Sequence, residues 1–67
     1  MRAKIIGENI KKYREEKGYT RKQFAELIGK AYITLRNYEC GNTAPSPYAL
    51  TVMAIVLGVS VQDILRD

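Results

Sequence analysis

The ten residues Thr20-Arg21-Lys22-Gln23-Phe24-Ala25-Glu26-Leu27-Ile28-Gly29 constrain the fold more than any other part of the chain. Thr20 suits a helix N-cap, because its hydroxyl can accept a backbone N–H that the first turn leaves unpaired. Phe24, Leu27 and Ile28 then share one helical face. Ala25 is small where a neighbouring helix must come close. Gly29 can take the positive φ that a tight turn demands. A second helical pattern follows almost at once, carrying Leu35 and Tyr38 inward at i, i+3.

The rest of the chain predicts three more helices and no strands. Ile6, Ile10 and Tyr13 mark the buried face of the first, which stops near Lys17-Gly18. The second runs from about Arg21 to Ile28. The third runs from about Tyr32 to Glu39 and ends at Cys40-Gly41, and Asn42-Thr43-Ala44-Pro45 is a loop. Ser46 caps the fourth helix, with Pro47 at the first position, where its missing N–H costs nothing. Gly58 closes it. Ser60 caps a short fifth helix, and Asp63 completes a capping-box-like pattern there. No repeat or linker divides the chain, so one all-α domain over residues 1–67 is expected, with a helix-turn-helix at about residues 20–39. That motif holds its second helix outward, where a DNA groove can accept it.

Composition narrows the function. A chain of 67 residues builds one small core, marginal on its own, which leaves room for help from a partner subunit. The net charge of +4 is uneven. Residues 1–30 hold nine Lys/Arg against four Asp/Glu, and residues 31–67 hold two against three. A basic first half fits a polyanion, although a solvated basic helix gives the same count. Histidine is absent and Cys40 is the one cysteine. Metal sites and histidine-based acid–base chemistry therefore lose their usual groups, and no internal disulfide can form. Ser46 and Ser60 have no accompanying base, and the carboxylates form no pair, so no enzyme and no cofactor are expected. The apolar run Leu50 to Leu57 is too short to cross a bilayer, and no signal peptide is evident. The expectation is a cytoplasmic protein, nucleoid-associated in a prokaryote or phage host.

From Ile6 to Leu65 the chain resembles the Cro/phage-repressor type of helix-turn-helix domain, the XRE family. The matching pieces are Ile6-Gly7-Glu8-Asn9-Ile10, Arg14-Glu15-Glu16-Lys17-Gly18, Gln23-Phe24-Ala25, Ile28-Gly29, Tyr38-Glu39, Gly41, Pro45-Ser46 and Leu57-Gly58-Val59-Ser60. Each is weak alone, but their order and spacing together are strong. The resemblance implies a five-helix, repressor-like fold that binds double-stranded DNA as a homodimer, with its third helix in the major groove. By position it implies that Tyr32, Ile33, Arg36 and Asn37 face base edges, and that Arg21 and Asn42 sit near the DNA backbone. It also implies a salt bridge between Arg14 and Glu39 that ties the first helix to the end of the third.

The residues themselves agree. Tyr32, Ile33, Arg36 and Asn37 form the face opposite Leu35 and Tyr38. Arg can pair bidentately with guanine and Asn with adenine, and Ile33 can meet a thymine methyl. The ring of Tyr32 offers a surface on which Arg21 can stack. Arg21 and Lys22 open the second helix at its positive dipole end, a place for phosphate. Three positions depart from the family pattern. Arg21 stands where Gln is common, Lys30 where an apolar residue is usual, and Ala31 where Ser or Thr would cap. Lys30 can lay its stem on the core and put its ammonium near phosphate. Ala31 cannot cap, so the third helix starts less firmly.

A second surface is suggested by the fourth helix. It buries Leu50, Met53, Ala54 and Leu57, yet its far face carries Tyr48, Val52 and Ile55. A helix apolar on both sides is expected to be covered on both. With Val61, Ile64 and Leu65, this stripe is the expected dimer or partner interface, unless it is a scatter of exposed aliphatics. The chain reads as a sequence-specific transcriptional regulator, a homodimeric repressor with a possible regulatory protein partner and no small-molecule effector domain. An interaction adaptor or antitoxin subunit built on the same fold is the alternative.

Overall fold

A computed structural model describes residues 2–67 of the chain. Five helices follow in order: α1 (Ala3–Glu16), α2 (Arg21–Ile28), α3 (Tyr32–Cys40), α4 (Pro47–Leu57) and α5 (Val61–Leu65). No strand occurs among the described residues. The all-α expectation holds, and α3 extends to include Cys40.

Local chemistry explains the boundaries. The Thr20 hydroxyl accepts from the Gln23 N–H at 3.1 Å, and the Gln23 side chain accepts from the Thr20 N–H at 2.8 Å. This reciprocal box starts α2 with two of its orphan donors satisfied. Gly29 ends the helix at φ 71°, in the left-handed region where a side chain would strain the backbone. The turn to α3 is then only three residues long. Ser46 accepts from the Ala49 N–H at 3.1 Å, with Pro47 behind it at the first helical position.

At α5 the box is Ser60 with Asp63, each side chain accepting from the other residue's backbone N–H at 3.0 Å. The bond from the Ser60 N–H holds the Asp63 carboxyl below its ordinary pKa, reinforced by the Ser60 side chain and by Arg66. A lowered carboxylate pKa means that ionisation favours the folded state. The contribution is complete above the ordinary aspartate value and disappears as pH falls through the lowered one. An Asp63→Asn variant is expected to show a weaker loss of stability on acidification than the parent, read by thermal melts between neutral pH and pH 3.

The core is one cluster around Ile10, Phe24, Leu35, Met53, Leu57 and Ile64, all nearly or wholly excluded from solvent. Tyr19 stacks on Phe24 at its edge, with ring centroids 6.1 Å apart. The inner stripe of α1 is Ala3, Gly7, Ile10 and Arg14, with Ile6 and Tyr13 half-buried beside it. Gly7 is there because α3 passes over it. A Cβ on Gly7 would collide with the Tyr38 carbonyl oxygen and stand 2.8 Å from that of Glu39. Leu27 departs from expectation: it is about half exposed, while Phe24 and Ile28 are buried. An eight-residue helix offers too narrow a buried arc for all three, and Leu27 falls at its rim.

Arg2 and α1 are fastened to residues 64–67. Asn9 on α1 donates to the Ile64 carbonyl at 2.8 Å and to that of Arg66 at 2.5 Å. Arg2 donates to the Leu65 carbonyl and pairs with Asp67. Asn9 thereby serves the carbonyls that the end of α5 leaves unpaired.

Candidate nucleic-acid interface

The outer face of α3 follows from which of its residues the core takes. Leu35, Tyr38 and Glu39 are buried. Tyr32 and Ile33 are about half exposed and Arg36 is exposed. Asn37 is intermediate, with its Oδ1 accepting from the Asn42 side-chain amide at 3.3 Å. The Asn42 backbone N–H also donates to the Asn37 carbonyl at 2.9 Å. These bonds close the end of α3 onto the following loop. Tyr32, Ile33, Arg36 and Asn37 thus lie on one side of the helix, with Asn42 beside them. Their donors and methyl groups suit the base edges of a major groove.

At the near end of this face, Lys22 and Lys30 are exposed and Arg21 is half-buried. Lys22 has no salt-bridge partner among the described residues and lies at the α2 N-terminus, where backbone N–H groups and a cation can meet a phosphate together. The Arg21 guanidinium lies over the Tyr32 ring, 5.8 Å from its centroid. Its Nε also donates to the Glu39 carboxylate at 3.1 Å. Burial opposes its charge, but contacts with Tyr32 and Glu39 outweigh that and raise its pKa overall. Ala31 supplies no side-chain cap. The first turn of α3 closes instead by backbone bonds from Thr34 and Leu35 to the Ala31 carbonyl.

An ion pair holds this helix from behind. The Glu39 side chain is 1% exposed and that of Arg14 8%. Arg14 Nε donates to one carboxylate oxygen at 2.6 Å and Nη2 to the other at 3.1 Å. Its Nη1 reaches the Tyr19 carbonyl at 2.9 Å. With Arg21 added, one buried carboxylate serves two guanidiniums. A two-pronged geometry of this kind fixes orientation as well as energy. The sequence suggested Arg14 with Glu39; it did not show that Arg21 completes the group. The signal was only that an Arg replaces a residue commonly Gln at that place.

The second surface is smaller than the stripe suggested by the sequence. Tyr48 and Ile55 are 77% and 73% exposed. Val52, Val61 and Leu65 are partly buried against the core. Ile64 is not on this surface at all: it is wholly buried in the core. The short α5 has to turn one residue fully inward, and Ile64 fills that place while Val61 and Leu65 flank it.

A helix-turn-helix family model matches residues 10–64. The HTH-type transcriptional regulator SinR of Bacillus licheniformis is 41% identical over 64 residues, which cover 94% of this chain and 58% of that protein. The chain thus spans little more than half the length of that curated relative. A crystal structure of SinR, the master regulator for biofilm formation, in complex with DNA superposes with a TM-score of 0.86 at 40% identity. That alignment covers 91% of this chain and 98% of the other. SinR in its complex with the protein SinI gives a TM-score of 0.87 at 40% identity, covering 92% of this chain and 61% of that one. Five helices with α2 and α3 joined by a glycine turn, and a family match across most of their length, lead to one conclusion: the chain belongs to the helix-turn-helix family of the Cro/phage-repressor (XRE) type.

Proposed function

We propose that this chain is a sequence-specific DNA-binding regulator of transcription that reads the major groove with α3. The observation that carries this reading is the outer face of α3. Four side chains able to meet base edges, Tyr32, Ile33, Arg36 and Asn37, stand clear of a core that takes Leu35 and Tyr38. Cations flank that face, with Lys22 and Arg21 opening α2 and Lys30 in the turn before α3. Asn42 closes the other end. Likeness to SinR, solved in complex with DNA, supports the same reading. The reading places the protein in the cytoplasm; no helix is long and apolar enough to cross a membrane among the described residues.

The roles are separable by experiment. Arg36→Ala should weaken binding to a selected duplex by about 1–3 kcal/mol and relax discrimination at one base pair. Lys22→Ala should weaken binding about equally on all sequences and lower the salt slope by about 1. Fluorescence anisotropy titrations at several salt concentrations would measure both. Equal behaviour of the two variants on every sequence would count against base reading by α3.

The regulator is proposed to act as a homodimer, with two reading helices about 34 Å apart on a two-fold symmetric site. The surface proposed for pairing is Tyr48, Val52 and Ile55 with Val61 and Leu65. Exposure of Tyr48 and Ile55 supports it. The same surface serves the second reading, an adaptor or antitoxin subunit that meets a regulatory protein; the complex of SinR with SinI favours keeping it. Lysine at both Val52 and Ile55 is expected to shift sedimentation to that of a monomer and to weaken operator binding. An unchanged sedimentation coefficient with unchanged binding would remove the dimer surface from α4.

A further inference from the structure

We propose that Arg21 is a positioning residue for base reading: its guanidinium ties the start of α2 to both ends of α3 and so sets where Tyr32 stands over the DNA. The inference deepens the proposed function and rests on α3 being the reading helix. It revises the simpler role of Arg21 as a free phosphate contact.

Tyr32 and Glu39 lie seven residues apart, on the same side of α3, with about 10 Å of helix between them. Arg21 reaches both, through Nε to the Glu39 carboxylate at 3.1 Å and with its guanidinium carbon over the Tyr32 ring, 5.8 Å from the ring centroid. The two ends differ in firmness. Glu39 is buried and already gripped by Arg14 at 2.6 Å. Tyr32 opens a helix whose N-cap residue, Ala31, offers no side-chain bond. The fixed end therefore acts as an anchor, and the guanidinium carries its position across to the unfixed end. Only arginine suits this place. Its planar group presents an edge to a carboxylate and a face to a ring, whereas a lysine ammonium is a point charge without a face. The arrangement also compensates for the missing cap, since the ring contact restrains the turn that a Ser or Thr at position 31 would have fixed.

A phosphate contact and a positioning contact leave different traces. A phosphate contact is blind to sequence and appears in the salt slope. A positioning contact alters discrimination and couples to the residue it positions. The test uses a duplex recovered by selection from a random pool and a mixed-sequence duplex of equal length. Affinity for each is measured for the full chain, Arg21→Lys, Tyr32→Ala and the double variant. Arg21→Lys keeps the charge, so the salt slope should stay unchanged. The preference for the selected duplex should fall about five- to tenfold. The double variant should fall no further than Tyr32→Ala alone. In a Tyr32→Phe background, which keeps the ring, Arg21→Lys should still exact its full factor. Loss that is equal on both duplexes, or effects of Arg21→Lys and Tyr32→Ala that simply multiply, would overturn the proposal. A parent protein that prefers no duplex would defeat the underlying reading instead, before any variant is made.

Discussion

Replacing Glu39 by alanine is expected to remove a large part of the protein's folding stability, about 3–5 kcal/mol. The carboxylate is buried and joined to Arg14 through two of that residue's nitrogens, and Arg21 leans on it as well. Once it is gone, the Arg14 guanidinium stays in the interior with only the Tyr19 carbonyl and the more distant Glu15 carboxylate, at 3.9 Å, to answer it. Breaking a buried pair in this way costs about 3–5 kcal/mol. A domain of this length holds roughly 3–10 kcal/mol in total. Set against that total, the single substitution takes from about a third to all of the stability. The pair as a whole is a different matter, because its attraction mainly offsets the cost of taking two charges out of water. Glu39→Leu combined with Arg14→Met should therefore recover much of what Glu39→Ala loses. Urea unfolding followed by circular dichroism measures all three proteins. If Glu39→Ala loses less than about 1 kcal/mol, as an exposed pair would, the pair is not buried as described.

Gly7→Ala should destabilise as well, and the direction of its effect separates a close contact from an open helical position. At an open helical position the change from glycine to alanine stabilises by about 1 kcal/mol, because glycine has more freedom to lose. Here the added methyl group meets the carbonyl oxygens of Tyr38 and Glu39. Those are backbone atoms at the end of α3, so no rotamer change relieves the contact. α1 and α3 must move apart, which loosens the seat of the Arg14–Glu39 pair between them. Overpacking of this kind costs about 1–3 kcal/mol, and here it must also overcome the propensity gain. The expected result is a net loss of about 1 kcal/mol, with weaker DNA binding because the reading helix shifts. Thermal melts of Gly7→Ala beside Glu8→Ala, an exposed neighbour, would show it. Equal melting temperatures for the two would mean that α1 and α3 are not in such close contact.

The fold was readable in the sequence where the signals were local. Thr20, Ser46 and Ser60 mark helix starts through bonds made within three residues. Gly29 and Gly58 mark ends through backbone geometry. Phe24, Leu35, Met53 and Leu57 announce the core by period alone. What needed coordinates was set by partners far along the chain. Nothing local says that Gly7 lies beneath the carbonyls of Tyr38 and Glu39, or that Asn9 serves the end of α5. Ile64 carried the same apolar label as Val61 and Leu65, and only packing decides which of the three turns fully inward. Leu27 fitted the inner face of α2 by spacing but lies at the edge of a narrow arc. At the site, the outward set on α3 followed from period, since Leu35 and Tyr38 fix the opposite side. The tie from Arg21 to Glu39 did not, because it spans 18 residues and depends on how α2 crosses the end of α3.

Duplex DNA is expected to sit on the outer face of α3. Chemical-shift mapping tests that claim residue by residue, with isotope-labelled protein titrated by a duplex recovered through selection. The largest amide shifts are expected on Tyr32 to Asn37, with Lys22 and Asn42 next, while α5 and the Asn9 side chain that holds it stay still. Shifts centred on Tyr48 and Ile55 of α4, with α3 unmoved, would contradict it.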